Sequence, residues 1–319
     1  YLIAISITIF IILKNKSIIG NYKILIINII VLLLTKESTI LIYFLLAIAA
    51  KNVEDEKIVK YYLWINFILF VSLVAINFIG IIPATEYVHY RIIRGIQVPR
   101  ADFGFGNPNA VFFNLIPVIA GYIYIRFENY NNKDRILLFS VATLIYFTTY
   151  SRNGYLTIII IMLIIEFIKR YYFVIPKILV KLIPLIPGFF FLVSILIGVF
   201  MNNNTLMNKV MSERPRIWWF YINKSSLFGY SHLDKNFPLD NSYIYILVFG
   251  GIVLVTFISI ILYIGIKKII EKKDEKLIVI IILFLIYGFN ETILFDRAIN
   301  FSFILIFKNL INYNDIKEG

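Results

Sequence analysis

Long apolar runs follow one another along this chain, separated by short polar stretches. Several runs approach the roughly 20 residues that a helix needs to cross a bilayer. Helices satisfy their own backbone hydrogen bonds in lipid, so the pattern predicts an all-α polytopic membrane protein with one membrane domain, residues 1–319. We predict about eleven spans, near residues 1–13, 18–34, 38–50, 61–82, 107–126, 136–150, 152–168, 178–200, 241–266, 277–289 and 299–311. Because the chain begins at Tyr1 rather than Met, we expect a twelfth, N-terminal span to be missing.

Composition supports this class and excludes others. Hydrophobic residues make up 60% of the chain, against about 45–50% in soluble domains. Cysteine is absent, which excludes disulfides and thiolate metal sites. The two histidines, His89 and His232, are isolated and cannot make a zinc site by themselves. The sequence has no phosphate-binding loop, dinucleotide fingerprint or nucleophile elbow, so we expect neither a cofactor nor a metal.

The positive charges are divided unevenly between the two sets of loops. Of the 31 Lys and Arg residues, 20 fall in one set of alternating loops and 11 in the other. The richer set is expected to face the cytoplasm. Seventeen of these 20 residues are Lys, whereas seven of the 11 outer residues are Arg. Topology requires only positive charge, and the arginine fork suits bidentate binding of phosphate. The arginine bias therefore indicates anion recognition on the outer face.

Two of the predicted outer loops are long, residues 83–106 and residues 201–240. The second lies between spans eight and nine and contains the stretch RPRIWWFYINKS. Its four consecutive aromatic residues, 218–221, are typical of a helix lying at headgroup level. An aromatic belt without a catalytic role is the alternative interpretation.

Four of the predicted spans begin at the outer face with residues that favour helix N-termini, which are ready sites for anions. These starts are Asn107-Pro108, Ser151-Arg152-Asn153, Asp240-Asn241-Ser242 and Asp296-Arg297. The arginines near them are Arg100, Arg152, Arg214, Arg216 and Arg297. Convergence on one outer cavity would make a pyrophosphate site, with supporting roles for Asn107, Asn109, Ser151 and Asn241. The structural alternative is that the polar residues only cap helices and the arginines only snorkel to the interface.

Four short motifs follow in order between residues 20 and 307: RADFGFGNPNAVFF, SRNGYL, RPRIWWFYINKSSLFGYS with LDNSYIYILVFGGI, and YGFNETILFDRAINFSF. In this order and spacing they resemble motifs of the bacterial O-antigen polymerase (Wzy) and O-antigen ligase superfamily. Asn107 stands where many relatives have histidine. Asp240 occupies the place of a histidine proposed as the general base of the ligases.

The resemblance implies a glycosyltransferase-C-like membrane fold and glycosyl transfer on the outer face of the bacterial cytoplasmic membrane. The substrates would be undecaprenyl-pyrophosphate-linked oligosaccharide repeat units, and the product a capsular, exo- or O-antigen polysaccharide. Fixed arginines would neutralise the leaving pyrophosphate without metal, while a base takes the acceptor proton. We expect Asp240 to be that base, with Glu291 and then His232 as alternatives. A plain capping role for Asp240 is the structural alternative.

Expected partners follow from the same resemblance: membrane lipid, and a chain-length regulator and flippase of the same pathway, but no nucleic acid. Two other functions stay open from the sequence. One is O-antigen-ligase-like transfer of finished glycan to another acceptor, which the absence of the ligase-type histidine disfavours. The other is a lipid-linked oligosaccharide flippase or transporter, which predicts cations along a path through the helices rather than at one face.

Overall fold

The computed structural model describes residues 22–83, 90–93, 96–171, 177–229 and 238–318. The α-helices of this part are α1 Tyr22–Thr35, α2 Thr39–Ala49, α3 Asp55–Phe78, α4 Pro108–Arg126, α5 Asn132–Thr149, α6 Arg152–Tyr171, α7 Lys177–Leu182, α8 Ile186–Met201, α9 Thr205–Val210, α10 Arg214–Lys224, α11 Ser242–Glu271, α12 Glu275–Gly288 and α13 Ser302–Glu318. The strands β1 Tyr90–Ile93 and β2 Ile96–Pro99 form an antiparallel hairpin, and 3-10 turns occupy Ile183–Leu185 and Ile293–Phe295.

Four helical segments in the described residues are long and apolar enough to cross a membrane: Asp55–Phe78, Pro108–Arg126, Val180–Met201 and Ser242–Glu271. In α3, only 11% of the 18-residue apolar stretch is buried inside the protein. Exposure of so much apolar surface fits a lipid environment rather than water. The chain is therefore a helical membrane protein, as the apolar pattern predicts. The predicted span at residues 1–13 lies outside the described residues.

Helix α12 lies at the centre of the helical core. Every residue from Leu277 to Leu285 is buried, and α12 packs against α4, α6 and α11. A helix that is apolar on all sides is suited to such a central position. It holds the beginnings of α4, α6 and α11 near one another at the same end of the protein.

The predicted outer loop at residues 83–106 contains the hairpin β1–β2, an element that the all-α prediction lacks. Its register pairs Tyr90 with Pro99 and Ile93 with Ile96. β-branched residues favour strands, and both strands are rich in them. The apolar-span pattern did not register this element because each strand has only four residues.

The segment at residues 201–240 contains α9 and α10, and the aromatic residues of α10 divide between core and surface. Trp218 and Tyr221 are fully buried, whereas Trp219 is partly exposed. Trp218 packs beside Gly198 of α8 and edge-on against Phe289, with ring centroids 5.5 Å apart. Helix α10 is therefore docked on α8 by its aromatic face, which a helix lying wholly among headgroups would not be.

Lysines stabilise the end of the bundle where α4 and α6 finish. The Lys169 ammonium donates to the carbonyl oxygens of Phe127 and Tyr130 just after α4. Lys308 of α13 is buried beside Asp55, the first residue of α3. At this end, cations close helix termini and pair with acidic side chains, as the helix dipole favours.

Candidate anion-binding site

A cavity of about 500 Å³ lies where α4, α6 and α11 begin and α5 ends. It is lined by Arg100, Asn109, Tyr150, Arg152, Asn153, Leu156, Val210, Met211, Ser212, Arg214, Asp240 and Asn290. Three of the five arginines singled out in the sequence share this cavity with Asp240 and Asn109. Residues far apart in the chain thus form one site at the end of the bundle opposite Lys169 and Lys308.

Arg100 is fixed by hydrogen bonds on both sides of its guanidinium group. Its Nε donates to the carbonyl oxygen of Thr149 at 2.7 Å, and its Nη2 donates to Oδ1 of Asn109 at 3.0 Å. The adjacent Ala101 amide donates to the carbonyl oxygen of Thr148. The segment after the hairpin is therefore held against the last turn of α5, which orients the arginine into the cavity.

Arg152 is the first residue of α6, and a tight turn delivers it to the cavity. Tyr150 ends α5 in the left-handed conformation, with φ of 50°. The Arg152 Nη2 donates to the carbonyl oxygen of Val210 at 3.3 Å. Two residues on, a Cβ at Gly154 would lie 2.1 Å from Cγ of Phe112 in α4. Only glycine permits this approach, so α4 and α6 meet closely enough to share the cavity wall.

Arg214 begins α10 and is almost buried, with 8% of its surface exposed. The two residues before it, Ser212 and Glu213, are both left-handed, with φ of 56° and 62°. This turn carries backbone strain and directs Arg214 inward. The Glu213 amide donates to the carbonyl oxygen of Asn208 at 2.8 Å, which holds the turn in place.

The Arg214 guanidinium connects three segments of the chain. Its Nη2 lies 3.4 Å from Oδ2 of Asp240 and 3.8 Å from Oε1 of Glu291. The same nitrogen donates to the carbonyl oxygen of Asn290 at 3.2 Å. With the Asn153 amide oriented so that its oxygen faces Arg214, Nη1 and Nη2 donate to it at 2.7 and 3.0 Å. Arg214 thus joins the three segments that form this part of the cavity wall.

Asp240 is held at the cavity surface by the buried residue that follows it. The Asn241 Oδ1 accepts from the amides of Tyr243 and Ile244, which caps α11. Its Nδ2 donates to Oγ of Ser194 and to the carbonyl oxygen of Phe289. This side chain is fully buried, so it ties the start of α11 to α8 and to the segment that carries Asn290.

The two carboxyl groups beside Arg214 have perturbed acidity. Burial raises the pKa of Asp240 above its ordinary value, and the charge and hydrogen bond of Arg214 oppose that rise. Burial, followed by the negative charge of Asp240, raises the pKa of Glu291 to about 8, against the attraction of Arg214. The Asp240 side chain remains 40% exposed and can meet a ligand, whereas Glu291 lies behind the cavity wall.

The structure places the other predicted site residues away from the cavity lining. Arg216 is exposed on the far side of α10, and its amide donates to Oδ1 of Asn208. Arg297 lies in the loop before α13, where its carbonyl oxygen accepts from the Tyr62 hydroxyl. Helix α13 begins at Ser302, capped by Asn300, so the predicted start at Asp296 is wrong.

The remaining predicted residues have structural positions. Asn107 caps α4 by accepting from the Asn109 amide at 2.8 Å. Ser151 is buried in the turn between α5 and α6, where its amide donates to Oγ1 of Thr149. Asn241 caps α11 as described above, so the capping role considered for Asp240 is wrong. His232 lies outside the described residues.

The sequence places Asn153 in the predicted helix start beside Arg152, but it does not single out Tyr150 or Asn290 as part of the site. Tyr150 directly precedes that start, and its place next to Ser151 and Arg152 is the available signal. The backbone carbonyl of Asn290 accepts a hydrogen bond from Arg214, and no pattern of side chains in a sequence predicts a contact made by the backbone. Within the described residues, no group of three acidic or histidine side chains is placed to hold a metal ion.

The arrangement is suited to binding an anion with two charged groups. Three guanidinium groups approach one space, and each is already oriented by a hydrogen bond to a backbone carbonyl. Preorganised donors of this kind stabilise developing negative charge. Comparison of the chain with protein-family models, curated proteins and solved structures finds no match. The interpretation of the site therefore rests on its own residues and on the motifs of the sequence.

Proposed function

We propose that this protein is a polysaccharide polymerase that joins undecaprenyl-pyrophosphate-linked oligosaccharide repeat units. The observation that carries the proposal is the meeting of Arg100, Arg152 and Arg214 with Asp240 in one cavity. These residues come from three of the four motifs that resemble O-antigen polymerases. A cluster of permanent cations beside one exposed carboxylate supports the same chemistry that the motifs imply.

In the proposed reaction, the bond between the anomeric carbon of the growing glycan and its pyrophosphate breaks. The electron pair leaves with the pyrophosphate, where the arginines neutralise the charge that develops. A hydroxyl of the incoming lipid-linked unit forms the new glycosidic bond, and Asp240 accepts its proton. Asp240 suits this role because it lines the cavity and is partly exposed. Its neighbour Arg214 favours the ionised form that a base requires.

The proposed topology crosses the bacterial cytoplasmic membrane about eleven times in a glycosyltransferase-C-like arrangement. The lysine-rich end faces the cytoplasm, which puts the arginine cavity, the hairpin and the segment at residues 201–240 outside. A lipid pyrophosphate would then reach the cavity at headgroup depth. Lysine and arginine at opposite ends of the bundle support this orientation.

The proposal is tested by mass spectrometry of lipid-linked and surface glycans in the native host after deletion of the gene. We expect undecaprenyl pyrophosphate carrying one outward-facing repeat unit, without long polymer, and recovery of polymer when the wild-type gene is restored. Long polymer retained on lipid would indicate a ligase instead. Repeat units trapped on the cytoplasmic face would indicate a flippase. Unchanged glycans would contradict all three functions.

A further inference from the structure

Glu291 is buried behind Arg214 with an incomplete set of hydrogen bonds. It is 7% exposed, and its Oε1 lies 3.8 Å from the Arg214 Nη2, beyond hydrogen-bond distance. Among the described residues this oxygen has no hydrogen-bond partner. The hydroxyl of Tyr287, one helical turn earlier, is likewise buried without a partner in that part of the chain. A negative charge is costly in such a position.

The charges around the cavity favour one protonation state of Glu291 when an anion is bound. Arg100, Arg152 and Arg214 together with ionised Asp240 leave two net positive charges. A pyrophosphate diester carries two negative charges, so the site and its ligand balance. An ionised Glu291 would cancel one of the site's positive charges and repel the ligand from the far side of Arg214.

We propose that Glu291 takes up a proton when the pyrophosphate group of the lipid-linked donor binds, which releases Arg214 from one of its two carboxylates. Arg214 then directs its charge to the ligand. This inference rests on the function proposed above and adds to it a proton-linked control of donor binding. Because Glu291 does not line the cavity, it is a positioning residue that acts through Arg214. We therefore do not assign it the role of general base that the sequence suggested as an alternative.

The surroundings of Glu291 suit this role near neutral pH. The titratable and charged groups that face it, among the described residues, are Arg214 of α10, Asp240 before α11 and Tyr287 of α12. Burial and the charge of Asp240 bring its pKa to about 8. A bound anion adds negative charge close by and raises this pKa further, so binding at that pH draws a proton from solution.

The test is calorimetric titration of the full-length protein in detergent micelles with geranyl pyrophosphoryl N-acetylglucosamine. This probe is a pyrophosphate diester that does not itself titrate between pH 6 and 9, so proton uptake reports the protein. Titrations in two buffers of different ionisation enthalpy give the number of protons bound. A group with a pKa of about 8 is about one-tenth protonated at pH 9, so we expect the wild-type Kd to rise about tenfold between pH 6 and pH 9.

Two variants make the result specific to Glu291. Glu291→Gln keeps the size of the side chain and imitates its protonated form, so its Kd should be independent of pH and its binding should take up no proton. Asp240→Asn removes the other carboxylate beside Arg214. It should retain the pH dependence, with the midpoint moved to lower pH because the repulsion from Asp240 is gone.

The two proposals fail in different ways. Binding of the probe with the same pH dependence in the wild type and in Glu291→Gln would overturn the role of Glu291 while supporting the cavity as a pyrophosphate site. Absence of binding by either protein at every pH would overturn both the pyrophosphate site and the proton uptake. A pH-dependent Kd that becomes flat only in Glu291→Gln supports both.

Discussion

Replacement of Asn241 by alanine should destabilise the protein more than any ordinary loss of a helix cap. The Asn241 side chain accepts two amide hydrogen bonds at the start of α11 and donates to Ser194 and to the carbonyl oxygen of Phe289. Loss of a cap costs about 1 kcal/mol. Each buried partner left unpaired costs about 1–3 kcal/mol. With two such partners, these effects together predict that the free energy of unfolding falls by about 3–7 kcal/mol.

Asn107 provides a matched control at another helix of the same cavity end. It also caps a helix, but its side chain is exposed and accepts one amide hydrogen bond, from Asn109. Asn107→Ala should therefore cost about 1 kcal/mol or less. The two variants thus differ in the buried contacts of the capping side chain while sharing the loss of the cap itself.

The assay is equilibrium unfolding by SDS in mixed micelles, followed by tryptophan fluorescence. Trp218 is buried against Phe289, which Asn241 holds in place. Two of the three tryptophans, Trp218 and Trp219, lie in α10, and replacement of Trp64 by phenylalanine in every variant confines the signal to this region. Equal destabilisation by Asn241→Ala and Asn107→Ala would refute the reasoning, because the buried bonds to Ser194 and Phe289 would then contribute nothing.

Three further predictions concern the cavity. Arg152→Lys should insert normally but lower the rate of polymerisation about 10- to 100-fold in a membrane assay, because a charge-assisted, bidentate contact is lost. The control is Arg135→Lys, at the other end of α5, which should leave the rate unchanged. Gly154→Ala should lower the free energy of unfolding by about 1–3 kcal/mol, because its Cβ would overlap Phe112; SDS unfolding measures this, and an unchanged midpoint would contradict the close packing. On the acid side, activity should fall as Asp240 becomes protonated, at a pH above the ordinary aspartate range. On the alkaline side, activity should fall near pH 8 as Glu291 ionises. Glu291→Gln should remove only the alkaline decline in a pH–rate profile. An alkaline decline that persists in this variant would contradict the role of Glu291.

The helical membrane class could be predicted from the sequence because hydropathy over a long run is a local property. The cap Asn107 could be predicted for the same reason, since it lies next to the helix that it caps. The cap of α11 is Asn241 rather than Asp240, the capping residue that the sequence suggested. The hairpin β1–β2 was missed because its strands are too short to give a periodic signal. The helix start expected at Asp296 was wrong because the chain forms a 3-10 turn and a loop before Asn300 caps α13.

The choice between Arg214 and Arg216 depends on which face of α10 is buried. Arg214, Trp218 and Tyr221 follow the spacing of one helix face, and that face packs inward. The sequence contains this periodicity, but it cannot say that α8 covers the aromatic face. Glu291 and Asn290 depend on the return of the chain after α12, a tertiary feature without a local pattern.

The most direct test of the central claim is a reaction of the purified protein in nanodiscs with undecaprenyl-pyrophosphate-linked repeat units, analysed by mass spectrometry. The account predicts lipid-linked chains of two or more repeats, with one undecaprenyl pyrophosphate released for each new glycosidic bond. It also predicts that Arg152→Lys forms these products about 10- to 100-fold more slowly. Repeat units that remain unextended, in conditions where the protein is folded and binds them, would contradict the account.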